Sequence, residues 1–136
     1  MPLFKREIDG NQSWYLDEAC TILHRVDGPA IINPNITMQW YLNGKRHRDD
    51  GPAVEWDAGD KHWYKNGKLH REDGPAIYNQ NGYEAWMIDG MYHRLDGPAI
   101  IAPYANIAEW WYYNVFAEGL SSKEEFEQWL KYKSFL

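Results

Sequence analysis

Four copies of one heptapeptide constrain this chain more than any other feature. His-Arg-x-Asp-Gly-Pro-Ala begins at His24, His47, His70 and His93, and each copy starts 23 residues after the one before. A fixed period of this size without insertions marks an array whose units bury apolar surface mainly against their neighbours. The fold must therefore be a stack of like modules. Any role for a single residue has to be weighed against its recurrence in every module.

The unit reads as a β-module. Trp40-Tyr41-Leu42-Asn43-Gly44-Lys45 is matched by Trp63-Tyr64-Lys65-Asn66-Gly67-Lys68 and by Trp86-Met87-Ile88-Asp89-Gly90-Met91. Aromatic residues suit a pleated, half-buried strand, and Asn-Gly or Asp-Gly tolerates the positive φ of a two-residue hairpin turn. The returning strand carries His-Arg and then meets Asp-Gly-Pro, where Pro cannot donate to a ladder. Short apolar strands follow at Ala30-Ile31-Ile32, Ala53-Val54-Glu55-Trp56, Ala76-Ile77-Tyr78 and Ala99-Ile100-Ile101. Looser links, Asp57–Asp60 and Asn79–Gly82, lead to the next Trp strand. One repeat is predicted to be one antiparallel hairpin plus a link, with neighbouring hairpins paired into a long meander. Eight Trp, ten Tyr and four Phe supply the large rings that an array without a thick centre needs.

Both ends depart from the period. Phe4–Ile8 and Gln12–Leu16 form a predicted opening hairpin around Asp9-Gly10, after which Asp17–Thr21 replaces the short turn. Beyond the fourth motif, Trp111-Tyr112-Tyr113-Asn114-Val115 resembles the aromatic strand with two extra residues before it, which puts Val115 in the Gly position. Ser122 with Glu125 is a capping-box pair. It predicts a helix over 122–134 whose stripe of Phe126, Trp129, Leu130 and Leu136 packs on the last hairpin and covers its edge. The fold class is mainly β: an elongated antiparallel meander of tandem 23-residue β-hairpin repeats with a short C-terminal α-helix cap. Residues 1–136 read as one domain, with an N-terminal hairpin and irregular entry (1–23), the repeats (24–116) and the helical cap (117–136).

Asn66-Gly67-Lys68-Leu69-His70, with an aromatic pair just before it and the 23-residue period, resembles the MORN repeat. The match recurs at Asn43-Gly44-Lys45-Arg46-His47 and more loosely at Asp89-Gly90-Met91-Tyr92-His93, and it covers roughly residues 14–116. After His the chain continues Arg-x-Asp-Gly-Pro-Ala instead of the usual Gly-x-Gly, which is similar to a variant found in bacteriophage and bacterial proteins. The resemblance implies an elongated single-layer antiparallel sheet used as a scaffold or binding surface, and does not imply an enzyme.

The net charge of −6 argues against nucleic acid and against an anionic membrane face, which both call for clustered Lys and Arg. It fits solubility, or a basic protein partner. Cys20 is the single cysteine and cannot form an intramolecular disulfide. The start, Met1-Pro2-Leu3-Phe4-Lys5-Arg6, lacks the apolar run of a signal peptide, and no stretch approaches the length of a membrane span. The expected location is cytoplasmic.

His24, His47, His70 and His93, with Arg25, Arg48, Arg71 and Arg94 and Asp27, Asp50, Asp73 and Asp96, form ladders along the array. A residue present in every structural unit holds that unit together, so these are read as structural, with no catalytic residue, metal or cofactor. The Asp side chains are expected to cap backbone N–H groups in the Gly-Pro bend. The Arg residues would pair with acids of adjacent hairpins, and the His rings would pack on a layer of Trp40, Trp63, Trp86 and Trp111. The irregular segments are the candidates for partner binding: Asn35, Ile36, Tyr104, Asn106, Trp110 and Trp129. The function expected is a non-enzymatic protein–protein interaction module, on the phage-like resemblance an inhibitor or modulator of a host protein. Self-association through sheet edges or the helix is a further expectation. The alternative is a small-ligand or metal-binding protein that uses the His/Asp ladder.

Overall fold

The computed structural model describes residues 2–136; Met1, where the expected domain and start segment begin, lies outside them. The chain opens with a hairpin of β1 (Phe4–Ile8) and β2 (Asn11–Tyr15), closed by Asp9 and Gly10, both at positive φ. Each repeat then makes two hairpins, not one. The first repeat has β3 (Ile31–Asn33) and β4 (Thr37–Gln39), followed by the small hairpin of β5 (Tyr41–Leu42) and β6 (Lys45–Arg46). The same order gives β7 (Val54–Trp56), β8 (Lys61–His62), β9 (Tyr64–Lys65) and β10 (Lys68–Leu69). It recurs as β11 (Ile77–Tyr78), β12 (Glu84–Ala85), β13 (Met87–Ile88) and β14 (Met91–Tyr92). The array ends with β15 (Ile100–Ala102), a 3-10 turn at Pro103–Ala105, β16 (Ile107–Tyr112) and β17 (Val115–Ala117).

The result is an open antiparallel meander of 11 strands, in the order β1-β2-β3-β4-β7-β8-β11-β12-β15-β16-β17. The elongated β fold is as expected, but the continuous ladder runs through what read as links. Asp57–Asp60 and Asn79–Gly82 are the turns of main-sheet hairpins, while the Asn-Gly hairpins project as a second row of separate two-stranded units. Backbone bonds join that row more sparsely. Gly67 N donates to Arg46 O at 2.9 Å and Arg48 N to Tyr64 O at 3.3 Å, and the pattern repeats at the neighbouring junctions.

The motif Ala is the hinge between the rows. Ala30, Ala53, Ala76 and Ala99 are fully buried, and their carbonyls accept the amides of Trp14, Trp40, Trp63 and Trp86 at 2.7–2.9 Å. A larger side chain there would force the two rows apart.

The C-terminal cap follows from the same geometry. Arg94 N bonds Trp111 O and Asn114 N bonds Tyr92 O, just as Arg71 N bonds Met87 O and Gly90 N bonds Leu69 O. Trp110, not Trp111, is thus the counterpart of Trp86, and Asn114, not Val115, fills the Gly position; the last unit carries one extra residue. Ala117 and Glu118 stand where the other units have His and Arg. With no guanidinium to cover Trp110, Phe126 packs on it with ring centroids 5.1 Å apart. Trp110, Ala117, Phe126 and Leu130 form the largest continuous core.

The helix is α1 (Lys123–Tyr132), shorter at its C-terminal end than expected. Ser122 Oγ accepts from Glu125 N at 3.2 Å, but the Glu125 carboxylate returns to Ser121 N at 2.7 Å, so the capping box is offset by one residue. Those Ser121 bonds hold the Glu125 carboxyl below its ordinary range. At the other end Ser134 takes φ 58°, and Phe135 N bonds Leu130 O, a Schellman closure. That reversal points Phe135 into the cap, where it stacks on Tyr112 at 4.8 Å, and leaves Leu136 exposed, so Phe135 completes the stripe in its place. No helix among the described residues is long and apolar enough to cross a membrane.

Because Phe126 is fully buried on Trp110, Phe126→Ala should cost about 3–5 kcal/mol in urea unfolding. A loss below about 1 kcal/mol would show that the helix does not seal the array.

Candidate functional site

Every motif Arg is built into the same clamp. The guanidinium carbon lies over a Trp ring of its own repeat: Arg25 over Trp14 at 4.1 Å, Arg48 over Trp40 at 3.9 Å, Arg71 over Trp63 at 4.0 Å and Arg94 over Trp86 at 3.9 Å. Nε donates to the motif Asp two residues on at 2.8–3.0 Å. Nη1 donates to the motif Pro carbonyl at 3.1–3.3 Å. The motif Gly closes the other side. A Cβ on Gly74 or Gly97 would lie 2.7 Å from the guanidinium carbon, and one on Gly51 or Gly28 3.0 or 3.2 Å, so an added side chain would press on the clamped Arg.

The expected roles therefore change. Asp27, Asp50, Asp73 and Asp96 hold the Arg of their own motif instead of capping backbone amides. The Arg residues use these local partners, with Arg48 alone also reaching Glu55 Oε1 at 3.1 Å. The hydrogen bond from Arg25, and likewise from Arg94, holds Asp27 and Asp96 below the ordinary carboxylate range. The four motif carboxylates remain 74–88% exposed, so solvent screens these ion pairs and they contribute little. The Arg side chains are only 21–25% exposed. Stacking on Trp, about 1–2 kcal/mol when desolvated, and the charged bond to the Pro carbonyl are the larger contributions.

The motif His acts between repeats. His24 Nδ1 accepts from Asn43 N at 3.0 Å, His47 Nδ1 from Asn66 N at 3.0 Å, His70 Nδ1 from Asp89 N at 3.1 Å and His93 Nδ1 from Tyr113 N at 3.3 Å. Each imidazole thus adds a rung between one small hairpin and the turn of the next. An amide N–H can only donate, so Nδ1 must be unprotonated in this arrangement. At His70 the Asp89 carboxylate also lies 3.1 Å from Nδ1. The His rings are staples, not packing on the Trp layer. They address four successive turns, and among the described residues no three His, Cys, Asp or Glu side chains gather in a metal-binding arrangement.

Three equivalent clefts lie between consecutive bends, with volumes of about 620, 630 and 580 Å³ in chain order. The central one is lined by Arg48, Asp49, Asp50, Trp63, Glu72 and Asp73 among others. One motif position alone varies from copy to copy: the third, occupied by Val26, Asp49, Glu72 and Leu95. All four are exposed. Asp49 Oδ1 reaches His47 Nε2 at 3.0 Å, whereas Glu72 Oε1 stands 3.5 Å from His70 Nε2 without hydrogen-bond alignment. This row is legible in the sequence as the variable slot of an otherwise constant motif.

Those segments fare unevenly as partner contacts. Ile36 and Tyr104 are exposed in the main-sheet turns, at the edge opposite the motif bends. Asn35 and Asn106 occupy left-handed turn positions at φ 60° and 53°. Trp110 is buried in the cap core and Trp129 packs on Phe126 and Phe135, so neither is a free contact. Trp14 is the rung that the sequence hid, because its loop, held by Asp17 carboxylate bonds to Thr21 N and Ile22 N, widens the spacing to Trp40.

A further half-buried aromatic group surrounds His62. His62 sits edge-on to Trp56 at 4.6 Å, with Tyr64 beyond, and burial pulls its pKa down. Tyr83 is pushed up to about 12, first by burial and then by Tyr92, which keeps its phenol neutral. Comparison with protein families, curated proteins and solved structures returns no match for this chain.

Burial also lowers the pKa of His93. The unfolded chain then binds more protons than the folded one between the depressed folded values of His62 and His93 and the ordinary value near 6.5. Stability should be full above about pH 6.5 and fall as the pH drops toward 5.5, with a shallower slope in His93→Asn. Urea unfolding at intervals from pH 7.5 to 5.5 measures this; a flat or rising profile on acidification contradicts it.

Proposed function

We propose that this chain is a non-enzymatic interaction module of the MORN-like kind that binds a basic segment of a protein partner along its row of motif bends. The observation that carries the reading is the variable third position. The six constant motif residues form the clamp, the staple and the hinge, while Val26, Asp49, Glu72 and Leu95 vary and stay exposed, with only Asp49 bonded to a staple His, at His47 Nε2. The row reads apolar, acidic, acidic, apolar. Beside it run the exposed carboxylates of Asp27, Asp50, Asp73 and Asp96.

Each repeat adds two main-sheet strands, which sets successive third positions roughly 10 Å apart. An extended partner chain would meet one of them about every third residue. Two basic residues at that spacing, flanked by apolar ones, match the row. The variant motif's resemblance to phage proteins supports the narrower reading, an inhibitor or modulator of a host protein.

Affinity capture from the native host's lysate tests this, with the wild-type chain and Asp49→Lys/Glu72→Lys as baits. Both substitutions lie outside the clamp. At least one protein should be retained by the wild type, released by added salt, and reduced about tenfold or more on the variant. Equal capture by both baits, or nothing retained above background, would remove the reading.

A further inference from the structure

The two ends of the main sheet are not treated alike. At the C-terminal end the helix seals Trp110 and Ala117. At the N-terminal end β1 pairs, among the described residues, with β2 alone, and all five of its residues are exposed. A five-residue strand with a free backbone edge is a template for another strand.

The direction of the free groups follows from the ladder. Trp14 N donates to Ala30 O, so the amides of Gln12 and Trp14 face β3 and those of Asn11, Ser13 and Tyr15 face β1. Ile8, Arg6 and Phe4, the register partners of those three, are thereby bonded inward. Lys5 and Glu7 present their N–H and C=O groups to the open edge.

From this we infer that a second copy of this chain pairs antiparallel with β1, about a two-fold axis through Arg6. The strand Phe4-Lys5-Arg6-Glu7-Ile8 is complementary to its own reverse. Centred on Arg6, it sets Lys5 opposite Glu7 of the second copy on both sides of the axis. These are the residues with free backbone groups, so each pair makes two N–H···O bonds and an ion pair. On the opposite face Phe4 meets Ile8 of the second copy, and both are exposed in the single chain. The side-chain pair that Lys5 and Glu7 form within one strand, at 3.1 Å, is exchanged for the same contact between strands. Arg6 facing Arg6 is the one repulsive pair, and it keeps the association modest.

The pairing is isologous and closes at two, because the other end of each sheet is capped. The dimer would be one sheet of 22 strands, twice the 11 of a single chain, with both acidic rows available. It does not depend on the partner proposed for those rows.

Sedimentation velocity across a concentration series up to the high micromolar range tests this on the full chain. A monomer–dimer equilibrium is expected. Glu7→Lys, which sets Lys opposite Lys, should weaken it about tenfold or more. The exchange Lys5→Glu/Glu7→Lys should restore it, and Arg6→Thr should tighten it. Urea unfolding of each variant under monomeric conditions reports whether the exposed strand stays folded; restoration by the exchange shows that charge, not misfolding, broke the dimer. A monomer at every concentration, open-ended assembly, or a dimer indifferent to Glu7→Lys would each overturn the proposal.

Discussion

The structure depends on a guanidinium held between a Trp ring and a glycine. This chain has no thick centre: apart from small alanines, Val54, Met87 and the cap cluster, no large apolar side chain among the described residues is fully buried. A single-layer sheet cannot secure the angle between its two rows of hairpins by core packing. The clamp does so with four directed contacts per repeat: the ring, the Asp, the Pro carbonyl and the Gly backbone. Arg suits the place because it is planar, keeps its charge and offers several donors in a fixed fork; Lys would keep only the charge.

Two interactions of different range then build the array. The Arg clamp acts within a repeat and fixes the bend between its hairpins. The His staple acts across a junction, from one hairpin to the turn amide 19 or 20 residues later. Such nearest-neighbour coupling is what a quasi-one-dimensional fold requires. It also explains how the array stops. Glu118 replaces the Arg and Ala117 the His, so the last Trp and the last hairpin have no clamp or staple. The helix supplies Phe126 instead.

Much of this was legible in the sequence, and the failures have physical causes. The period, the Asn-Gly turns and the apolar strands after Pro gave the fold class. Which hairpin row carries the continuous ladder was not readable, because Trp40-Tyr41-Leu42 and Ala53-Val54 are equally strand-like and local propensity does not choose between them. Trp111 matches the aromatic pattern by residue identity, whereas the hydrogen-bond register, which follows backbone position, makes Trp110 the counterpart of Trp86. The roles of His and Asp depend on atoms more than a turn away, or on the stacking of a third residue, and spacing alone does not encode either. The constancy of six motif positions did separate the residues that hold the fold from the third position, where partner contact is proposed.

A double-mutant cycle on Trp63 and Arg71 is the most direct test of the clamp. Trp63→Ala, Arg71→Ala and the double variant would be compared by urea unfolding at pH 7.5. The account predicts a coupling of about 1–2 kcal/mol, with the double variant little less stable than the worse single one. Strictly additive losses would mean that ring and guanidinium stabilise the repeat independently, and the clamp would not be what holds this sheet in shape.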